Sequence, residues 1–308
     1  MLAQLPQVCQ PRPRPCRHRC RAAGGTAGPL QQLPTSYREL VQQCQGAITA
    51  ALADGVLLQE VQFPPAGLES VPGDAEGNFE SNQVLKHLRN IARLWQTADM
   101  QERLRVFFPD ESELALATAR VSDGTVSPAG QPAPFAEFAG RCTYLCEEGL
   151  LTTSGLSKLL GWHVPASART APDDVAYLVS QPSLNIDEMV QVAELERNAG
   201  RPRRTPIITV NAELERIRTS YYPPFWARAE LDELRVLAPR FEAVYFLHNF
   251  KRSSGPSAVL FRAYPGPFQV LLREQDGSTR VVHTQPSYPG LKAVATEIVP
   301  RALAARRK

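Results

Sequence analysis

Apolar residues along this chain fall first at helical spacing, then at strand spacing, and the alternation repeats. Ser36-x-x-Glu39 has the form of a capping box, and Leu40, Cys44, Ala47, Ile48 and Ala51 follow three or four residues apart until Asp54-Gly55 interrupts them. A helix is expected there. Residues 56–63 read as a strand ended by Pro64-Pro65. Val84, Leu88, Ile91 and Trp95 make a second helical stripe, 104–108 a short apolar strand, and 111–121 a third helix. The Gly and Pro of 122–134 mark a surface insertion, 135–145 reads equally as helix or strand, and 154–160 is a weak helix.

Regular periodicity returns with a strand at 175–180, a helix at 187–199 and a strand at 206–210. Helices alternating with apolar strands imply an α/β fold, a Rossmann-like and mainly parallel sheet with helices on both faces. The last third differs. Residues 243–250, 258–264, 268–273 and 279–283 are strands separated by short turns such as Pro265-Gly266 and Asp276-Gly277, which predicts an antiparallel meander extending the sheet. A closing helix is expected over 289–304. Together these elements make a single α/β domain over 34–308.

Charge is distributed unevenly. No acidic residue precedes Glu39, whereas Arg12, Arg14, Arg17, Arg19 and Arg21 lie in the first 33 residues, the composition of an organelle transit peptide over 1–33. The whole chain has 34 Lys+Arg against 31 Asp+Glu; without 1–33 the balance is 29 to 31. The basic excess therefore sits in the leader and gives no reason to expect nucleic acid as a partner. No run approaches the ~18 apolar residues of a membrane span. Cys44, Cys142 and Cys146 remain beyond the leader, too few for a disulfide framework.

Ligands of open α/β sheets sit beyond the carboxyl ends of the strands. Three polar clusters fall there: Phe108-Pro109-Asp110, the stretch from Ser180 through Ser183 to Asn185, and Asn211-Ala212-Glu213. Helix capping explains each one singly, and a ligand-binding edge formed by Asp110, Ser180, Ser183, Asn185 and Asn211 explains all three together. The chain lacks the glycine-rich fingerprints for dinucleotides and nucleoside triphosphates, and it lacks a serine-nucleophile elbow. Cys142 and Cys146 would share a face if helical, with His163 a conceivable third metal ligand, but without a fourth ligand they read as buried structural cysteines, and no metal or other cofactor is expected. His248 reads as a satisfied strand histidine, and Arg201, Arg203 and Arg204 as a solvated basic loop. Tyr221, Tyr222, Phe225 and Trp226, with Pro223 and Pro224, follow no helical or strand period, so they are candidates for docking a partner.

Several motifs resemble one family. They are Pro34-Thr-Ser-Tyr-Arg-Glu-Leu40, Ala51-Leu-Ala-Asp-Gly55, Glu60-Val-Gln-Phe-Pro-Pro65, Phe107-Phe-Pro-Asp110, Asp173-Asp-Val-Ala-Tyr-Leu-Val179, Ile207-Ile-Thr-Val-Asn-Ala-Glu-Leu214 and Ala263-Tyr-Pro-Gly-Pro-Phe-Gln-Val270. In order and spacing they resemble a domain of unknown function found in plants, algae and cyanobacteria, and also as an appendage on a chloroplast adenylate kinase. The chain is most similar to the family's photosystem II assembly branch. That resemblance implies import into the chloroplast and a non-catalytic stromal auxiliary protein. It would work at the thylakoid with photosystem II assembly proteins, held to the membrane through those partners, and help the CP43 antenna subunit into the complex. The adenylate-kinase appendage implies the alternative, a nucleotide-binding or nucleotide-modifying stromal domain. No catalytic residue carries over from the family.

Overall fold

Strand-forming segments separated by amphipathic helices assemble, in the computed structural model of this chain, into one nine-stranded sheet. The structure describes residues 29–74, 78–95, 97–119, 133–147, 164–183, 185–219, 228–251, 256–274 and 276–306. The strands are β1 (Leu58–Gln62), β2 (Leu104–Asp110), β3 (Arg141–Cys146), β4 (Ala176–Ser180), β5 (Ile207–Val210), β6 (Glu242–Phe250), β7 (Ser257–Ala263), β8 (Phe268–Arg273) and β9 (Thr279–Gln285). Their order is β3-β2-β4-β5-β1-β6-β7-β8-β9. The first six run parallel, and β6 to β9 form the antiparallel meander that the turn residues predict.

Helices cover both faces because parallel neighbours need crossovers, and right-handed crossovers in opposite directions land on opposite sides. Helix α1 (Tyr37–Ala53) shares one core with α2 (Asn78–Ala92) and α4 (Glu111–Thr118), which follows the short α3 (Ala98–Glu102) and β2. The other face packs α5 (Ile186–Leu195), α6 (Glu215–Arg218) and α7 (Arg228–Leu237) against Phe107, Tyr177, Val179 and Ile207. The chain closes with Leu291–Ala293, a π turn Val294–Ile298 and α8 (Val299–Arg306), whose Val299, together with Val294, covers Phe246, Leu260 and Phe268 of the meander.

Local chemistry explains most boundaries. Leu40, Cys44, Ala47, Ile48 and Ala51 of α1 are all buried, and the Ser36 hydroxyl accepts the Glu39 N–H at 3.3 Å. The reciprocal half of the capping box differs, since the Glu39 carboxylate accepts the N–H and hydroxyl of Thr35 instead. The helix expected over 111–121 stops at Thr118, where Ala119 turns extended. The ambiguous 135–145 is strand only from Arg141; before it, Phe135 and Phe138 stack edge-to-face at 5.2 Å under the Arg89 guanidinium. The helix expected over 187–199 runs through a π turn (Glu196–Gly200) into Arg201–Arg203. Its arginines are engaged. Arg201 pairs with the buried Glu196 at 2.6 Å, and Arg203 donates to Thr170 and to the Tyr177 hydroxyl. Residues 1–28, 120–132, 148–163 and 220–227 lie outside the described residues, so most of the leader and of the insertion, the helix at 154–160 and His163 lie there too.

At the amino edge of the sheet the starts of β2, β3 and β4 are joined by charge. Asp174, whose side chain is wholly buried, accepts from Arg105 at 2.7 Å, from Arg141 at 2.7 Å and from the Ala171 N–H at 2.7 Å. The guanidinium of Arg141 also pairs with the exposed Asp173 and holds that carboxyl down at about 2. Removing the buried charge leaves two arginines crowded at one edge. Asp174→Asn is expected to lower unfolding free energy by about 3 kcal/mol, the usual loss on breaking a buried pair. Urea denaturation measures it, and a change under ~1 kcal/mol would show that the cluster contributes little.

Candidate functional site

The carboxyl ends of β1, β2, β4, β5 and β6 line one edge, and the chain leaves β2 and β4, which are neighbours, in opposite directions. Such a switch point opens a crevice where α/β sheets hold ligands. Here the polar side chains turn inward. The Asp110 carboxylate accepts the Glu113 N–H at 2.8 Å and caps α4, and the Asn185 side chain accepts the Asp187 N–H at 3.4 Å and caps α5. Ser180 is 1 % exposed within β4, and the Ser183 hydroxyl donates to the Asn211 carbonyl at 3.4 Å. Asn211 is a latch between strands: its N–H donates to the Val61 carbonyl and its Oδ1 accepts the Phe63 N–H, both at 2.8 Å. Ser180, Ser183 and Asn211 thus come together near the ends of β4 and β5, while Asp110 and Asn185 stand at two separate helix starts.

Acids surround both helix N-termini beside the crevice. Asp110, Glu111 and Glu113 sit at α4, Asp187 and Glu188 at α5. Burial raises the Glu113 carboxyl above its usual range, and Asp110 raises it further. Helix N-termini attract anions. These two already hold five carboxyl groups.

A cleft of about 260 Å³ opens further along the same edge, over the ends of β1 and β6. Glu60 and Gln62 line it from β1, Phe246 and His248 from β6, Glu213 to Arg216 and Thr219 from the segment after β5, and Leu291 from the closing helix. Three non-glycine residues near this edge adopt left-handed backbone: Gln181 (φ 40°), Asn211 (φ 52°) and Glu213 (φ 45°). Asn tolerates that conformation; Gln and Glu pay a steric penalty of roughly 1 to 2 kcal/mol each. The turn at Glu213 is what directs α6 back across the sheet.

The cationic groups of the cleft are already matched. Arg218 pairs with Glu60 at 2.8 Å and lies 4.9 Å from the centre of the Tyr288 ring; Arg216 pairs with Glu213 and donates to the Ser183 carbonyl. Glu215 accepts the Leu291 N–H at 3.1 Å. Burial raises the Glu60 carboxyl even with Arg218 opposing it, and burial likewise raises Glu213 against Arg216. His248 meets the Phe250 ring edge-on at 4.9 Å, and burial lowers it to about 4, so it is neutral at pH 7. The cleft therefore offers three carboxyl groups and a neutral imidazole. With Glu60 and Glu213 already paired to arginines, it suits a hydrogen-bond donor that shares those carboxyl oxygens or the Glu215 carboxylate.

Sequence reasoning missed Glu60, Glu215, Arg218 and Tyr288. A carboxylate set between the apolar Leu58 and Val61 of one strand was the available signal. Cys142 and Cys146 lie on a strand, not a helix, four residues and about 13 Å apart at strand rise, and pack against different cores, so they cannot share one metal ion. Burial pushes each thiol up to about 12. Tyr221, Tyr222, Phe225 and Trp226 lie outside the described residues.

Asn211 offers a direct check on the latch. Asn211→Ala orphans the Phe63 N–H and puts a β-carbon in left-handed backbone, an expected loss of about 3 kcal/mol. Asn211→Gly relieves the backbone but not the orphan, leaving about 2 kcal/mol in urea denaturation. A glycine variant as stable as the wild type would mean that the hydrogen bond adds nothing.

No curated protein and no solved structure matches the chain. The family described as Domain of unknown function (DUF1995) matches residues 34–296, beginning just ahead of α1 and ending in the π turn before α8. With most of its length covered by that match, the chain belongs to the DUF1995 family.

Proposed function

We propose that this DUF1995 protein is a non-catalytic auxiliary factor for photosystem II assembly, akin to the chloroplast protein Low PSII Accumulation three, which its motifs most resemble. In this reading it is imported into the stroma, works at the thylakoid with membrane-bound assembly proteins, and helps the CP43 antenna subunit into the complex. Among the described residues no helix is long and apolar enough to cross a membrane.

The observation that carries the choice against a nucleotide domain is the charge at the switch point. A nucleotide phosphate there would face Asp110, Glu111, Glu113, Asp187 and Glu188, with both helix starts already capped by side chains. Binding a protein asks for something else. The cleft beside Glu213 and His248 is rich in acceptors and walled by Phe246 and Leu291, which suits a lysine or arginine side chain offered by a partner.

Two measurements separate the readings. Pull-down from detergent-solubilised thylakoids is expected to recover the CP43-type subunit with the wild type, and at least about tenfold less with Glu213→Lys, at a stability lowered by no more than the ~1 kcal/mol of the half-exposed Arg216 pair. Thermal unfolding is expected to stay unchanged with AMP, ADP, ATP or NAD. A nucleotide that adds the ~2.7 kcal/mol due at a hundredfold its dissociation constant would favour the nucleotide-binding alternative instead.

A further inference from the structure

On the opposite face of the sheet from α5 to α7, a second cavity of about 350 Å³ lies between α1 and α2. Its lining reverses the balance of the cleft. Arg38 and Gln42 reach it from α1, beside Tyr37 and Val41, and Gln83, Lys86, His87 and Asn90 from α2. No carboxylate lines it among the described residues, and neither Arg38 nor Lys86 is in an ion pair there. Elsewhere the arginines are widely matched, Arg103, Arg105, Arg141, Arg169 and Arg218 each to an Asp or Glu. Two unmatched cations and three side-chain amides on one concavity leave a surplus of donors.

His87 adds an independent observation. The residue is 4 % exposed, and its Nδ1 is buried without any hydrogen-bond partner. Its ring stacks on Phe63 with centroids 4.4 Å apart and is flanked by Tyr37 at 5.8 Å. Tyr37 is fixed in turn, its hydroxyl donating to the Ala66 carbonyl. A buried polar atom left unpaired costs free energy and marks a place where an ion or water belongs. Burial, and then Lys86, lowers His87 to about 4; a bound anion would offset Lys86 and favour the imidazolium.

We propose that the cavity between α1 and α2 is a binding site for a phosphate-type oxyanion, taken either as a free ion or as the headgroup of an anionic lipid. Arg38 and Lys86 supply the charge, the amides of Gln42, Gln83 and Asn90 supply neutral donors, and His87 forms the floor. The site is separate from the cleft and stands whether or not the assembly reading holds.

The test uses the full chain and two probes. Inorganic phosphate is titrated calorimetrically at constant ionic strength, and flotation is measured with vesicles of phosphatidylcholine alone or mixed with phosphatidylglycerol. One phosphate per chain is expected, weakened at least about tenfold by Lys86→Glu or Arg38→Glu, since each loses a charge-assisted hydrogen bond and adds repulsion. Both residues are exposed, so these variants should keep the wild-type denaturation midpoint. His87→Phe keeps the stack and removes the nitrogens; weaker phosphate binding without loss of stability is expected there. Flotation with the anionic vesicles only, reversed by phosphate and lost in Lys86→Glu, would identify the lipid headgroup; phosphate binding without flotation would identify the free ion. The proposal is overturned if neither probe binds, if neutral vesicles bind equally well, or if Lys86→Glu and Arg38→Glu bind like the wild type.

Discussion

A carboxylate in the middle of a nine-stranded sheet has to be neutralised from within the protein, and Glu60 is in that position. It lies on β1, 1 % exposed, with β5 on one side and β6 on the other. Arg218 meets it from 158 residues away at 2.8 Å. Leaving such a charge without its partner costs more than most single contacts in a fold contribute. The same guanidinium donates to the Ala238 carbonyl and covers the Tyr288 ring, and Tyr288 packs against Phe246 and Phe268. One ion pair therefore fixes α6, the end of α7 and the approach to the closing helix relative to the central strand. The cleft takes its shape from that arrangement.

The two ends of the parallel sheet solve different problems. The amino edge is tied by opposite charges, Asp173 and Asp174 against Arg105 and Arg141. Such pairs are strong where buried and need little backbone distortion. The carboxyl edge is tied by backbone and amide hydrogen bonds, through Asn211, Gln181 and the two helix caps, and it accepts left-handed residues to do so. What remains open at that edge is mostly acidic. On the far side of the sheet, between α1 and α2, what remains open is basic. Among the described residues these two concavities differ in character.

Most of the architecture was legible in the sequence because its signals are local. The spacing of Leu40, Cys44, Ala47 and Ile48 specifies a buried helix face whatever the rest of the chain does, and Asp276-Gly277 turns the meander without reference to distant residues. The exact ends of elements were less legible. Thr118 ends α4 three residues before the apolar pattern stops, and β3 begins at Arg141 because the aromatic cluster of Phe135, Phe138 and Arg89 occupies the residues before it. The sites were least legible of all. Glu60 and Arg218, or Lys86 and Arg38, become neighbours only when the sheet order and helix faces are known. Strand-end residues such as Asp110 and Asn185 read the same whether they cap a helix or hold a ligand; only the partner of each oxygen distinguishes them.

The place of β1 in the strand order has a consequence for how the chain reaches this structure. β1 is the first strand made, yet its hydrogen-bonding partners are β5 and β6, and β6 is complete only at Phe250. At a synthesis rate of 5–20 residues per second, β1 waits roughly 10 to 40 s before partners for both of its edges exist. An apolar segment left open for that long is a template for the wrong pairing. Within this strand Gln59, the charged Glu60 and Gln62, and just after it the ring pair Pro64-Pro65, interrupt the apolar residues from Leu57 to Phe63. The residue that demands an internal counter-charge in the finished sheet thus also protects the nascent chain from aggregation before Arg218 exists.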